Sequence, residues 1–467
     1  MVKYYLLIDI GASSGRHMLG HMQDGKIVYE EIHRFVMNQG NWKWHPRVLL
    51  HDIIDGMIKC REAGKIPVSM GIDTFGVEPC FLDRYGELLD IGTILKDNTE
   101  LYRVFAEKRF PVMDPKELYK RTGTPDIVGN FEYQILSIKE RYPSLYEKVN
   151  TVLSMPDLLN YMLTGTIKSE YSYATTSGLV NIDTHNWDKE AISAAGIEPG
   201  LFVDLTMPGI LVGRLRPELK ERVGYDLDVI QIAAHDSASA YLAAPIENNN
   251  SILISSGTWS IAGAESFEPV VSDKAYEYSI ANEGNYELRY RVLNNLTGTV
   301  MMQRVRADYM NKYSFPELSE MAKDAKGFES ALTVKQLSVM MSDEPMEDII
   351  RSECRKTGQK EPQTLSEVMA CIYKSIAVAY KQTIAGLEDC LEKKFEAVNL
   401  FSGGCRDEYL NQLTADITGI PVYAGPVEAA AVGNMLIQMI YDGTLANLND
   451  ARALVGHSFD IQQFNPQ

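Results

Sequence analysis

The sequence predicts an α/β protein of two similar domains, and three observations carry that prediction. Short apolar strands alternate with helical stretches along the whole chain. The pattern of strand, small-residue turn and strand occurs near residue 11 and again near residue 257, a coarse internal duplication. At 467 residues the chain exceeds what a single ordinary core organises. Residues 245–250, rich in Asn with a Pro and a Glu, mark the boundary, giving domains 1–245 and 246–467 with a cleft between them.

The elements follow in order. An apolar strand over Tyr4–Ile10 enters the turn Gly11-Ala12-Ser13-Ser14-Gly15, and a second strand covers residues 16–22. Asp24-Gly25 closes a hairpin onto a third strand at residues 26–35. A helical pattern over residues 49–63 precedes a buried strand at residues 68–72, which ends at Asp73-Thr74-Phe75-Gly76. Another strand, residues 228–233, feeds His235-Asp236. The second half repeats this grammar with a strand over Ser251–Ser256, the turn Gly257-Thr258 and a return strand over residues 259–265. Val368, Cys371, Ile372, Ile376, Ala379, Ile384, Leu387 and Leu391 recur at helical spacing over residues 365–393. A strand over Ala397–Phe401 then breaks at Ser402-Gly403-Gly404, before a helix at residues 409–418 and a strand at residues 421–424.

Composition excludes some classes of function. A formal charge of -18 leaves no basic stripe to neutralise nucleic-acid or anionic-lipid phosphates. A small anion such as ATP is compatible, since backbone N–H groups and a metal can hold it. No apolar run reaches the length of a membrane span, and the opening residues read as a strand reaching Asp9 rather than a signal peptide. Cys60, Cys80, Cys354, Cys371, Cys390 and Cys405 form no C-x-x-C pair, which fits reduced thiols in a cytoplasmic enzyme.

Each candidate motif has a plain reading beside the chemical one. Asp9-x-Gly11-x-Ser13-Ser14-Gly15-Arg16 lets successive N–H groups and hydroxyls point at phosphate oxygens, with Asp9 placed to hold Mg²⁺ through water. It reads equally as a glycine hairpin, and it is neither a Walker A nor a dinucleotide fingerprint. Asp236 before Ser-Ala-Ser-Ala is an ordinary helix N-cap, but a carboxylate kept ionised there also suits a weak base in phosphoryl transfer. Side-chain-free backbone at Gly403-Gly404 lets a flat adenine or its phosphates lie close, or simply makes a tight turn. His17, His21, His33, His45 and His51 lack a third metal ligand at convincing spacing and read as surface or core residues. Trp42 and Trp44 read as packing or as an aromatic platform for a sugar ring, and Met301-Met302 as core filler.

Taken together these residues resemble a known family. Asp9-Ile10-Gly11-Ala12-Ser13-Ser14-Gly15-Arg16, Gly71-Ile72-Asp73-Thr74-Phe75-Gly76-Val77, His235-Asp236, Ser256-Gly257-Thr258-Trp259-Ser260, Gly403-Gly404-Cys405 and the segment from Asn411 to Val422 stand in the order of the FGGY carbohydrate kinases. Asn282-Glu283-Gly284, Arg289-Tyr290-Arg291-Val292-Leu293, Asn295, Gly298 and Gln303 resemble the L-rhamnulose kinase branch. The resemblance implies two ribonuclease-H-like domains of the actin/Hsp70 type, flanking a cleft and closing over ATP, Mg²⁺ and a ketose. It implies Asp236 as general base, with Gly76, Glu78, His235, Ser237 and Asn295 at the sugar. Ala12, Ser13, Ser14, Gly15, Arg16, Thr258, Gln303 and Gly403 would hold the nucleotide.

Departures from the branch fall mostly at the sugar. Thr74-Phe75-Gly76-Val77-Glu78 stands where a Thr-Trp-Gly-Val-Asp pattern is usual, Lys96-Asp97 replaces Arg-Asp, and Ser237 replaces Thr. Phe lacks the indole donor, Glu carries its carboxylate one methylene further, and Lys replaces a planar fork with a point charge. The nucleotide turns and the base are unchanged. A retained phosphoryl chemistry with an altered sugar is therefore expected, with L-fuculose favoured and L-rhamnulose, which differs at C4, as the alternative. Neutral drift at these positions is the competing reading, and a non-catalytic sugar sensor of the actin-like ATPase superfamily is the remote one. No nucleic-acid or membrane partner is expected, and the chain is expected to be a monomer or homodimer.

Overall fold

The computed structural model describes the chain apart from Met1, Ala12, Ser13 and residues 37–43, 90–98, 128–129, 247–249 and 334–343. It divides into two compact units that are not contiguous in sequence. Unit 1 comprises Met1–Ala243, Ser266–Arg291 and Ala430–Ser458; unit 2 comprises Ala244–Glu265, Val292–Ala429 and Phe459–Gln467.

Unit 1 is organised by a six-stranded sheet in the spatial order Ile210–Arg214, Asp228–Gln231, Pro67–Thr74, Tyr4–Ile10, Ser14–Gln23 and Lys26–Val36. Tyr4–Ile10 is buried from Tyr5 onward, as expected of a central strand covered on both faces. It pairs antiparallel with Ser14–Gln23 and parallel with Pro67–Thr74. The second strand starts two residues earlier than its apolar pattern indicates, because Gly15 pairs with Ile10 on one side and Phe35 on the other. Leu49, Ile53, Ile54, Met57 and Cys60 of the helix Pro46–Glu62 fill the core against Leu6, Ile8, Leu19 and Ile72. Proline at its start supplies a fixed φ where no N–H partner is needed. A smaller sheet of Pro79–Asp83, Leu88–Leu89 and Val149–Ser154 packs with helix Phe131–Arg141 around Phe81, Phe131, Ile135 and Val152.

The helix Ala429–Tyr441 brings a buried polar ladder into unit 1. Asn434 donates to Gly71 O at 3.0 Å and to Asp73 Oδ2 at 2.8 Å, and Gln438 donates to Leu6 O at 3.1 Å while accepting from Ser69 Oγ at 2.6 Å. These bonds satisfy amides that would be expensive to bury unpaired.

In unit 2 the strand Ser251–Ser256 pairs antiparallel with Trp259–Ser266 and parallel with Ala397–Phe401. That is the arrangement of Tyr4–Ile10 with its two neighbours. A glycine N–H closes each turn, Gly11 N donating to Ser14 O and Gly257 N to Trp259 O, each at 3.0 Å, the second turn one residue shorter. The long helix Leu365–Leu391 starts with a capping box of Thr364 and Glu367 and buries Val368, Cys371, Ile372, Ile376, Ala379, Ile384 and Leu387, while Leu391 is half-buried. Cys354 and Cys371 are free thiols with sulfurs 3.9 Å apart, and Met301 and Met302 are buried. No helix among the described residues is long and apolar enough to cross a membrane.

One close approach holds two helices of unit 1 together. A Cβ at Gly433 would fall 1.8 Å from Ser239 O, so glycine alone lets the helix containing it lie against Asp236–Leu242. Gly433→Ala is therefore expected to lower stability by about 1–3 kcal/mol, read as a shift in the denaturant midpoint.

Candidate active site

Strand pairing collects three carboxylates at one end of the unit 1 sheet. Asp9 and Asp73 are register partners near the C-terminal ends of two parallel strands. Thr74 N donates to Ala234 O at 2.9 Å, and Thr74 bridges to His235, which brings the start of the helix Asp236–Leu242 to the same place. Carboxyl ends of parallel strands are the usual location of ligand sites in α/β sheets.

Each carboxylate has a different environment. Asp9 is buried and paired with Arg16 Nη2 at 2.6 Å. Asp73 is fully buried, and burial together with the charges of Asp9 and Asp236 holds its carboxyl well above the usual range against the Asn434 hydrogen bond. Asp236 is pushed up to about 6 by its protein surroundings and by Asp9, although 34% of the side chain stays open to solvent, which moderates the effect. Its Oδ1 accepts from Ser237 N at 2.6 Å and from Ser237 Oγ at 3.0 Å. It is the first residue of its helix and bonds only to its neighbour, whereas an N-cap side chain reaches two or three residues on. The cap position belongs to His235.

Within unit 1, His235, Ser237 and Gly76, expected at the sugar, lie close to this carboxylate or to the His235 ring beside it. His235 Nε2 is 3.4 Å from Asp236 Oδ1, and burial and Arg291 push the imidazole down to about 3, so it is neutral at physiological pH. A Cβ at Gly76 would lie 3.2 Å from His235 Nε2. Glu78 is buried and its backbone N–H donates to Tyr173 Oη at 2.9 Å. Phe75 stacks on Trp44 with centroids 4.1 Å apart. Trp42 and Lys96-Asp97 lie outside the described residues, as do Ala12 and Ser13 of the first turn. Ser14, Gly15 and Arg16 open the strand Ser14–Gln23, and Asn295 is exposed on the strand Tyr290–Thr297 of unit 2. Among the described residues no cluster has the make-up of a metal site, and His17 and His33 pack edge to face at 5.1 Å.

Unit 2 builds its own small-residue cradle. Thr299 donates to Gly257 O through both N and Oγ1 at 2.9 Å, and Gln303 Nε2 donates to Thr258 Oγ1 at 3.1 Å. Gly404 packs so tightly that a Cβ would stand 2.1 Å from Ser256 Oγ, whereas Gly403 is exposed with open space around it. Ser402 holds φ 69° and ψ −171°, a region essentially reserved for glycine, and such strain gathers at ligand sites. The chain then makes a short tight turn, Gly403–Arg406, before the helix Glu408–Thr418. An exposed glycine with open space around it suits the close approach of a flat base or a phosphate.

The matches to known proteins fit this arrangement. The model of the N-terminal domain of the FGGY family of carbohydrate kinases matches residues 4–243, and that of the C-terminal domain matches residues 252–441. The chain belongs to the FGGY family of carbohydrate kinases. A rhamnulokinase of Halalkalibacterium halodurans is 38% identical, covering 99% of both chains. A rhamnulokinase of Bacillus subtilis is 36% identical, covering 99% of this chain and 95% of that one. The fold resembles a xylulose kinase from Rhodospirillum rubrum, with TM-score 0.77 at 16% identity over 100% of this chain and 94% of the other. It equally resembles a Plasmodium falciparum glycerol kinase with ADP, with TM-score 0.77 at 13% identity and the same coverage. This carbohydrate kinase thus has the two-domain fold of its family.

Two residues near the site were not assigned a role from sequence. Asp73 stands inside a quoted motif, but only its parallel partner Asp9 shows that it joins the cluster. Glu170 is remote in sequence, yet it accepts from Ser172 N, Tyr173 N and Ala234 N at 2.7–3.2 Å, and burial pushes it up to about 7.

The cradle depends on Tyr380, whose buried Oη lies 2.7 Å from Ser260 Oγ and 3.5 Å from Ser256 Oγ on the strands flanking Gly257. Tyr380→Phe leaves the Ser260 hydroxyl unpaired and is expected to reduce stability by about 1–3 kcal/mol in chemical denaturation.

Proposed function

We propose that this kinase transfers the γ-phosphoryl group of ATP to the O1 hydroxyl of a 6-deoxy-L-ketohexose, with L-rhamnulose as the acceptor. The observation that carries the acceptor is full-length similarity to proteins named rhamnulokinase, at 32–38% identity for those from Halalkalibacterium halodurans, Bacillus subtilis and Ligilactobacillus salivarius. In this reading residues 1–245 form the sugar-binding domain and residues 246–467 the nucleotide-binding domain, with Asn295 and the turn at residues 12–16 as exceptions.

Asp236 acts as the general base. Its unprotonated Oδ takes the O1 proton late, as the O1–P bond forms and the bond to the ADP leaving group breaks. His235, Ser237, Gly76, Glu78 and Asn295 orient the sugar. Arg16, Ser14, Gly15, Ala12 and Ser13 hold phosphates together with Thr258 and Gln303, and the open Gly403 admits the base. ATP supplies the phosphoryl group; Mg²⁺, when bound, would neutralise phosphate charge, and Asp9 is the residue that would hold it through water. The Asp9–Arg16 pair at 2.6 Å supports this assignment, since it keeps an anion and a cation ready at one turn. The reading takes the enzyme to be cytoplasmic, where ATP is made.

A second reading rests on a different observation. Phe75 and Glu78, both buried, replace the Trp and Asp usual in the branch, which favours L-fuculose as the acceptor. Coupled ADP release with both ketoses decides. Higher kcat/KM with L-rhamnulose is the expected result, and a clear preference for L-fuculose overturns the acceptor while leaving the kinase.

The pH dependence follows from Asp236. Catalysis needs the carboxylate, and the folded protein raises its pKa to about 6. Log kcat/KM should thus rise with pH up to about 6 and level off above it, losing about tenfold per unit below. Asp236→Asn should lower kcat by about 10²–10⁴ and abolish that limb.

A further inference from the structure

Behind His235 lies a buried charge pair that the proposed chemistry does not use. Arg291 is fully buried, with Nη2 2.7 Å from Glu283 Oε2. The contact is close but off the hydrogen-bonding direction, and among the described residues no guanidinium nitrogen has a hydrogen-bond acceptor. Burying such a pair brings little net stability, since apolar residues of similar volume do as well or better. Its surroundings suggest what it does instead.

Both members of the pair lie against the segment bearing His235 and Asp236. Glu283 Oε2 is 3.8 Å from His235 Nδ1, an atom without a hydrogen-bond partner among the described residues. The Arg291 guanidinium sits 5.6 Å from the ring centroid of Tyr241, on the helix that Asp236 begins. Two residues beyond Glu283, Asn285 Nδ2 donates to Ala238 O at 3.1 Å on the same helix. The strand carrying Glu283 is itself fixed, for Gly284 N donates to Thr175 Oγ1 at 2.8 Å and Asn282 Nδ2 to Gly123 O at 3.1 Å. A Cβ at Gly284 would fall 2.2 Å from the Tyr171 ring, so this register admits no slack.

We infer that Glu283 and Arg291 are positioning residues that hold the His235 ring in one orientation beside Asp236, so that one ketose engages both groups at once. This rests on the ketose-kinase reading above. The pair acts through His235 and touches no reacting atom. With Nδ1 buried toward Glu283, a rigid neutral imidazole presents Nε2 in one fixed direction and one protonation form, and a misplacement of about 1 Å costs about 10² in rate.

Glu283→Gln alone strands a buried cation, so the decisive variant is the double change Glu283→Gln with Arg291→Met, which removes both charges at similar volume. Steady-state kinetics with L-rhamnulose and with ATP, thermal unfolding, and nitrogen NMR of wild-type protein labelled at histidine form the test. His235→Gln identifies the His235 signals. The double variant is expected to unfold no earlier than wild type and to lose about 10² in kcat/KM for the sugar, with the KM for ATP unchanged. The wild-type His235 ring is expected to show a single tautomer. A folded double variant with wild-type sugar kinetics overturns the inference, and so does a ring averaging between tautomers. If the double variant fails to fold, the ring measurement decides. Wild-type protein without ketose-dependent ADP release overturns the kinase-substrate reading instead, and leaves the ring result to stand by itself.

Discussion

The parallel pairing of Tyr4–Ile10 with Pro67–Thr74 is the constraint on which the site depends. Register alone makes Asp9 and Asp73 neighbours, and the continuation of the second strand into Thr74 captures Ala234 and sets His235-Asp236 at the same edge. A slip of one residue would exchange the two faces of either strand. The core of Leu6, Ile8 and Ile72 forbids that slip, so packing in the sheet interior fixes the chemistry at its end.

Bringing carboxylates together has an electrostatic consequence. Like charges in a protein interior cannot all persist, and the three respond differently. Asp9 is compensated by Arg16, Asp73 is buried against Asn434 with its carboxyl pushed well above the usual range, and Asp236 stays partly open to water. Asp236 thus combines access to solvent with a carboxyl pushed up to about 6. Neutral His235 beside it does not compete for a proton, because burial and Arg291 oppose its ionisation.

Unit 2 repeats the strand pairing but puts it to a different use. Its hairpin turn ends at Gly257-Thr258 instead of an acidic strand, and its parallel neighbour Ala397–Phe401 runs into the strained Ser402 and open Gly403. The same backbone scheme thus presents carboxylates in one unit and bare backbone with hydroxyls in the other. The side chains at the strand ends make the difference, since the pairing itself is alike.

Much of this was legible in the sequence. Apolar runs and glycine turns located the central strands to within a residue or two, and helical spacing located the Leu365–Leu391 helix, because burial on a sheet or along a helix leaves a period in the chain. The family motifs named Asp236 and the glycine turns because those positions demand particular residue types locally. The return of Ser266–Arg291 and Ala430–Ser458 to unit 1 was not legible, nor were the Asn434–Asp73 bond and the Arg291–Glu283 pair behind His235. Local sequence determined which elements form and which residues carry chemistry. Tertiary structure alone decided which distant side chains neighbour them and how their charges settle, because those depend on contacts across hundreds of residues that no local pattern encodes.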